Sequence, residues 1–321
     1  MPISAAPSCL RLVPRLASGW LLAGLLLVSL AAGCAQKRPP TPVRLAPETT
    51  AESPESVIMR ATPAIAAGQA TPTVYQERGE AYYRMGQFEL AQKDFEQAQS
   101  AGGGAQTAYD LGAAAYMNQD YQKAINYFSD AIAKDATMAK AYNNRGVAAF
   151  ALGQYDKAGA DFSAAAGLGG QSAAASLFNR ALAYQAQNEF DRALADYDRV
   201  IGLDPSQTAA RNNKADIYIT LRRYDEAAVE LDTAIRRNSG DPDLYYNRAL
   251  VREKLGNYPQ AMEDYDRAAK LRSNFGQAYR NRGVLRLRLQ MTREGCADLS
   301  LACQFGYCGH LEKAKNFGLC Q

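Results

Sequence analysis

Four cysteines, Cys296, Cys303, Cys308 and Cys320, fall within the last 26 residues, together with the only histidine, His310. Such a set can close disulfides, as an even number of cysteines does in an exported chain, or it can join His310 in a zinc site. No Cys-x-x-Cys pair is present and the leader described below points to an oxidising compartment, so disulfides are expected and a metal is not. Cys296 and Cys303 are seven residues apart on one predicted helix, about 10 Å at 1.5 Å per residue, too far to bridge. A short helix from Leu311 to Phe317, closed by Gly318, would fold back antiparallel. It would bring Cys308 near Cys303 and Cys320 near Cys296, and this nested pairing is preferred. His310 reads as a helix-start residue rather than a base. No nucleophile elbow, phosphate loop or metal-binding pair stands out, and neither catalytic residues nor a cofactor are expected.

A second set is polar and periodic. Asn144, Asn179, Asn213, Asn247 and Asn281 recur in five successive stretches, with Glu77 and Asp110 at the two earlier equivalents. A carboxamide donates and accepts at once, so a row of them could read a peptide main chain whatever its side chains. Each is followed by a base (Arg145, Arg180, Lys214, Arg248, Arg282), and a purely structural role for the Asn-base pair is the alternative. One turn away on the same predicted face lie Tyr109, Tyr116, Phe150, Phe178, Leu182, Tyr246 and Leu250, some of them expected in the core and the rest available to a partner.

The elements that position these residues follow from a period. Small residues recur at Gly79, Gly112, Gly146, Ala181, Ala215, Ala249 and Gly283, spaced 33 to 35 apart. Twelve residues after each stands a second small one: Ala91, Ala124, Ala158, Ala193, Ala227, Ala261 or Gly295. Four further on comes a large apolar residue (Phe95, Phe128, Phe162, Tyr197, Leu231, Tyr265, Leu299), and three beyond that Ala98, Ala131, Ala165, Val200, Ala234, Ala268 or Ala302. Spacings of four and seven are one helical face. Two antiparallel helices that cross closely need a residue without a long side chain on each, and the large ring fills the remaining space. Turns such as Gly86-Gln87, Gly153-Gln154 and Gly256-Asn257 end the first helices. Phe88, Tyr121, Tyr155, Phe190, Tyr224 and Tyr258 open the second, while Thr292 stands at that place in the seventh unit.

This pattern closely resembles the tetratricopeptide repeat, over residues 72–309 in seven units. The resemblance implies an all-α, right-handed superhelical solenoid of seven helix pairs, first helices lining the concave side, ended by a capping helix in the disulfide-linked segment 310–321. It also implies that the asparagines face the groove, where they are similar to the ladder with which the repeat domain of O-linked N-acetylglucosamine transferase holds peptide backbones. Such domains bind protein partners, so a non-catalytic scaffold is expected. The alternatives are a permanent structural subunit of an outer-membrane or pilus-secretion assembly, akin to a pilotin, or an enzyme.

At the other end, Arg11 and Arg15 precede an apolar run from Leu16 to Leu30, shorter than the roughly 20 residues of a membrane-spanning helix. The run ends in Leu30-Ala31-Ala32-Gly33-Cys34, which resembles the bacterial lipobox, with Ala31 where that motif prefers leucine. The resemblance implies a signal peptide over 1–33, lipidation at Cys34, and, with Ala35 following, an outer-membrane lipoprotein facing the periplasm. Residues 34–71 carry Pro39, Pro40, Pro42, Pro47, Pro54 and Pro63 and read as a disordered tether. Without the leader the chain holds 34 basic and 33 acidic residues. That balance implies no nucleic-acid partner.

Overall fold

The computed structural model describes residues 52–321, which are all-α: sixteen helices, one 3-10 turn at Gly170–Ser172, and among the described residues no strand. Seven antiparallel pairs succeed one another. They are α2 (Pro72–Arg84) with α3 (Phe88–Ser100), α4 (Ala105–Met117) with α5 (Tyr121–Lys134), α6 (Ala139–Ala151) with α7 (Tyr155–Leu168), and α8 (Ala173–Ala186) with α9 (Phe190–Leu203). Then come α10 (Thr208–Thr220) with α11 (Tyr224–Arg237), α12 (Pro242–Lys254) with α13 (Tyr258–Leu271), and α14 (Gly276–Arg288) with α15 (Thr292–Gln304). Each pair packs on the next, as in a tetratricopeptide solenoid, and the first helices α2, α4, α6 and α8, like α10 and α12, also touch one another.

The crossing residues act as their types dictate. A Cβ placed on Gly79, Gly112 or Gly146 would lie 2.6–2.7 Å from the buried ring of Phe95, Phe128 or Phe162, so glycine lets the phenylalanine units close. Where Ala181, Ala215 and Ala249 take that place, the facing residue is Tyr197, Leu231 or Tyr265, also fully buried. The turn inside each pair needs one left-handed residue. Glycine supplies it at Gly86, Gly153 and Gly256, whereas Gln119, Asn188, Arg222 and Gln290 adopt φ of 59–64° without that freedom.

Two helices beyond the seven pairs close the ends. α1 (Pro54–Ala66) lies within the stretch 34–71 read from sequence as a disordered tether, and there the structure differs. Ser53 caps the helix by accepting from the Ser56 N–H, and Pro54 occupies the first turn, where proline starts a helix rather than breaking one. Val57 and Ala61, four apart, are buried, and the Thr62 hydroxyl accepts from Arg78 of α2. α1 thus takes the place of a second helix preceding the first pair. At the far end α16 (Gly309–Asn316) takes the place of an eighth first helix, burying Ala314 beside Leu299 and Cys320. Cys296–Cys320 and Cys303–Cys308 are disulfide-bonded, with Cα–Cα separations of 5.6 and 4.0 Å.

Candidate functional site

The asparagine row does not lie open in a groove. Asn144, Asn179, Asn247 and Asn281 are buried, and only Asn213 is half-exposed. The expectation of five solvent-facing amides is therefore corrected, and the hydrogen bonds give the reason. Each amide donates to the unit before it: Asn144 to the Tyr109 hydroxyl (2.9 Å), Asn179 to Asn143 Oδ1 (3.1 Å), Asn247 to Asn212 Oδ1 (2.8 Å) and Asn281 to the Tyr246 hydroxyl (3.0 Å). The acceptor is always the residue just before the preceding unit's own Asn or Asp. In the fourth unit that residue is Phe178, which has no acceptor, and Asn213 donates instead to the Tyr197 hydroxyl of α9 (3.1 Å). Burial raises the pKa of the Tyr109 and Tyr197 hydroxyls, which keeps them protonated. The row is a set of clasps between repeats.

The base after each asparagine is a second internal device. Arg145 forks onto Asp161 (Nε to Oδ2 2.9 Å, Nη2 to Oδ1 2.7 Å) and its Nη1 reaches back to Ser129 of the preceding second helix. Arg78, Arg180, Arg248 and Arg282 repeat the fork on Asp94, Asp196, Asp264 and Asp298, and Lys214 pairs with both Glu230 and Asp198. The hydrogen bonds to Asp161 and Asp196 raise the pKa of Arg145 and Arg180. An acid sixteen residues after each base is the sequence signal for this staple. Paired in this way, the bases are structural.

With clasps and staples accounted for, the first helices still present side chains to solvent. Of the aromatic and leucine set, Tyr109, Leu182 and Tyr246 are buried, while Tyr116, Phe150, Phe178 and Leu250 are half-exposed. Tyr116 and Phe150 lean on Tyr121 and Tyr155 at the inner turns, with ring centroids 5.4 and 5.0 Å apart. Ile219 and Asp216 of α10, Arg280 and Val284 of α14, and Asn213 add to the partly exposed set.

At the C-terminal end of the first helices, charge is left over. Arg280 donates from Nε to Asn281 Oδ1 (3.0 Å), lies beside the Tyr246 hydroxyl and stacks 5.4 Å over the Tyr307 ring. Tyr307 is seated against Gly276, where a Cβ would come within 2.6 Å of it. His310 and Lys313 of α16 are close by. The pKa of His310 is lowered by burial and by the charges of Arg280 and Lys313. The four cysteine sulfurs are held in disulfides, and among the described residues no group of three His, Cys, Asp or Glu is placed to hold a metal. Among the described residues no helix is long and apolar enough to cross a membrane. Cys34 and the leader lie outside the described residues.

Models of the tetratricopeptide repeat match residues 77–139, 109–173, 178–242 and 242–275, and the chain belongs to the tetratricopeptide-repeat family. Its fold is similar to a tetratricopeptide repeat protein from Parabacteroides merdae (TM-score 0.55, 18% identity, 81% of this chain and 96% of that one). It is also similar to the C-terminal part of a repeat-containing protein from Cytophaga hutchinsonii (0.57, 16%, 70% and 92%) and to yeast Tom70 (0.56, 18%, 85% and 60%). No curated protein sequence matches the chain at a significant level. The repeat fold is that of a protein–protein interaction scaffold.

Proposed function

We propose that this chain is a non-catalytic scaffold of a bacterial envelope, held at the outer membrane by a lipid on Cys34 and facing the periplasm. Along its first helices it binds an extended segment of an envelope protein. The observation that carries the reading is the mixed face left once the fold has used its clasps and staples. Phe178, Ile219 and Leu250 are half-exposed apolar side chains interleaved with Asp216 and Arg280, a composition suited to a polypeptide that brings both side chains and main chain. The basic leader, the short apolar run and its Gly33-Cys34 end support the lipid anchor.

The test is in-cell photocrosslinking. A crosslinker at Asn213 or Asp216 is expected to capture one envelope protein, and one at Val229, exposed on the second helix α11, is expected not to. Capture from Val229 alone would move the interface to the outer helices. In the same cells a clickable fatty acid should label the wild-type chain and not Cys34→Ser, and equal labelling would remove the anchor.

A further inference from the structure

The bases that follow the asparagines all have acids to hold; Arg280 does not. Among the described residues no ion pair joins Arg280, His310 or Lys313 to a carboxylate, and the charges acting on His310 are both positive. We propose that this end of the first-helix face is a carboxylate-binding site in which Arg280 makes the bidentate contact, flanked by Lys313 and His310. It takes a carboxylate of a bound polypeptide and so rests on the reading of that face as a peptide surface.

Three features argue for it. First, the guanidinium is held before any ligand arrives, by Asn281, by the Tyr246 hydroxyl and by the Tyr307 ring, and Tyr307 is itself fixed against Gly276. Asn281 in turn is fixed by its bond to Tyr246. A guanidinium has five N–H donors; the bond to Asn281 uses one at Nε and the Tyr246 hydroxyl takes a second. The remaining fork matches a planar carboxylate and leaves less entropy to lose on binding. Second, α16 stands as an eighth first helix, so His310 and Lys313 fall on the same face as Gln277 and Arg280 of α14. They are three residues apart and share a helix side that the exposed Glu312 does not. Third, Arg280 and His310 are half-buried between α14, Tyr307 and α16, with Lys313 exposed at their edge, and a charge pair there is screened less than on an open surface. An anion there meets two cations and an imidazole that can donate.

Because His310 is the only histidine, its ring resonance is a single reporter in the full chain held in detergent micelles. Two probes separate the sources of the carboxylate: acetyl-glutamate amide for a side chain, and acetyl-trialanine with a free C-terminus for a chain end. Acetyl-trialanine amide is the control. At least one free carboxylate is expected to shift His310 saturably and raise its pKa, with no shift from the amide. Arg280→Gln, checked by thermal unfolding, is expected to weaken that binding about tenfold or more, as loss of a charged hydrogen bond does. Lys313→Gln, exposed and unpaired, should weaken it a few-fold with the fold untouched. No saturable shift with either carboxylate, equal binding by both variants, or tighter binding of inorganic phosphate would overturn the assignment. The probes are short peptides, so their failure leaves the crosslinking result standing, and loss of crosslinks leaves the peptide result standing.

Discussion

The second and sixth repeats build the same helix pair with opposite chemistry. In the sixth, Asn247 clasps Asn212 of the fifth repeat, and Arg248 forks onto the buried Asp264 while reaching Asp232. In the second, those two places hold Asp110 and Leu111. Leu111 is buried with Phe95 and Ala114 and has no staple, and Tyr127 stands where the partner acid would be. Asp110 is buried and accepts from Gln76 and Gln106. Burial, then the nearby Glu80, pushes its carboxyl up to about 7. The pair therefore folds with either an ion-pair staple or an apolar contact. What the staple imposes is dependence, because each of its members is buried on the assumption that the others are there.

The sharpest way to break the comparison is to remove one member. Arg248→Met should take the forked partner from the buried Asp264 and leave it Arg252 alone, at a cost of about 2–3 kcal/mol, read as an earlier urea transition. The double change Arg248→Leu with Asp264→Tyr, which copies the second repeat, should recover most of it. A double variant no more stable than the single would show that the second repeat's solution does not transfer.

Next is Asp110→Asn, which gives the second repeat the residue of the later ones. The folded carboxyl's pKa lies above its ordinary 3.8. The stability it contributes as the neutral acid is fully present below about pH 4 and is lost as pH rises to about 7. The variant should match the wild type near pH 4 and exceed it increasingly up to pH 8, by at most about 4 kcal/mol for a shift of this size. Thermal unfolding across that range checks it, and a constant difference at all pH values would place the carboxyl's pKa elsewhere.

The smallest effects compare two asparagines. Asn247→Ala should cost about 0.5–1.5 kcal/mol, since its hydrogen bond to the half-exposed Asn212 is lost. Asn213→Ala should cost less, because the Tyr197 hydroxyl still donates to Gln185. Equal losses in a urea titration of the two variants would mean that the clasps are not what holds the repeats together.

Much of this was legible in the chain. The opening residues of the second helices, from Phe88 to Thr292, are the first residues of those helices; at Phe88, Tyr121 and Tyr155 a ring packs on one five residues before it, a local contact. Gly79, Gly112 and Gly146 were legible because their need is also nearly local: the ring that excludes a Cβ stands sixteen residues on. The staple was less visible. Its base and acid are also sixteen apart, but a lone Asp in a charged helix looks like any solvent-facing residue until its burial is known.

The sequence by itself determined the period, the helix pairs and the family, since these rest on side-chain size and on spacings within one unit. Only the tertiary structure decided what the polar rows do. Whether Asn144 or Asn281 meets water depends on how closely the preceding repeat approaches, and that distance is set by packing between residues 35 apart. α1 was decided in the same way. Thirteen residues with two prolines have little helical tendency alone, and Pro54–Ala66 gains it by burying Val57 and Ala61 as α1 packs beside α2.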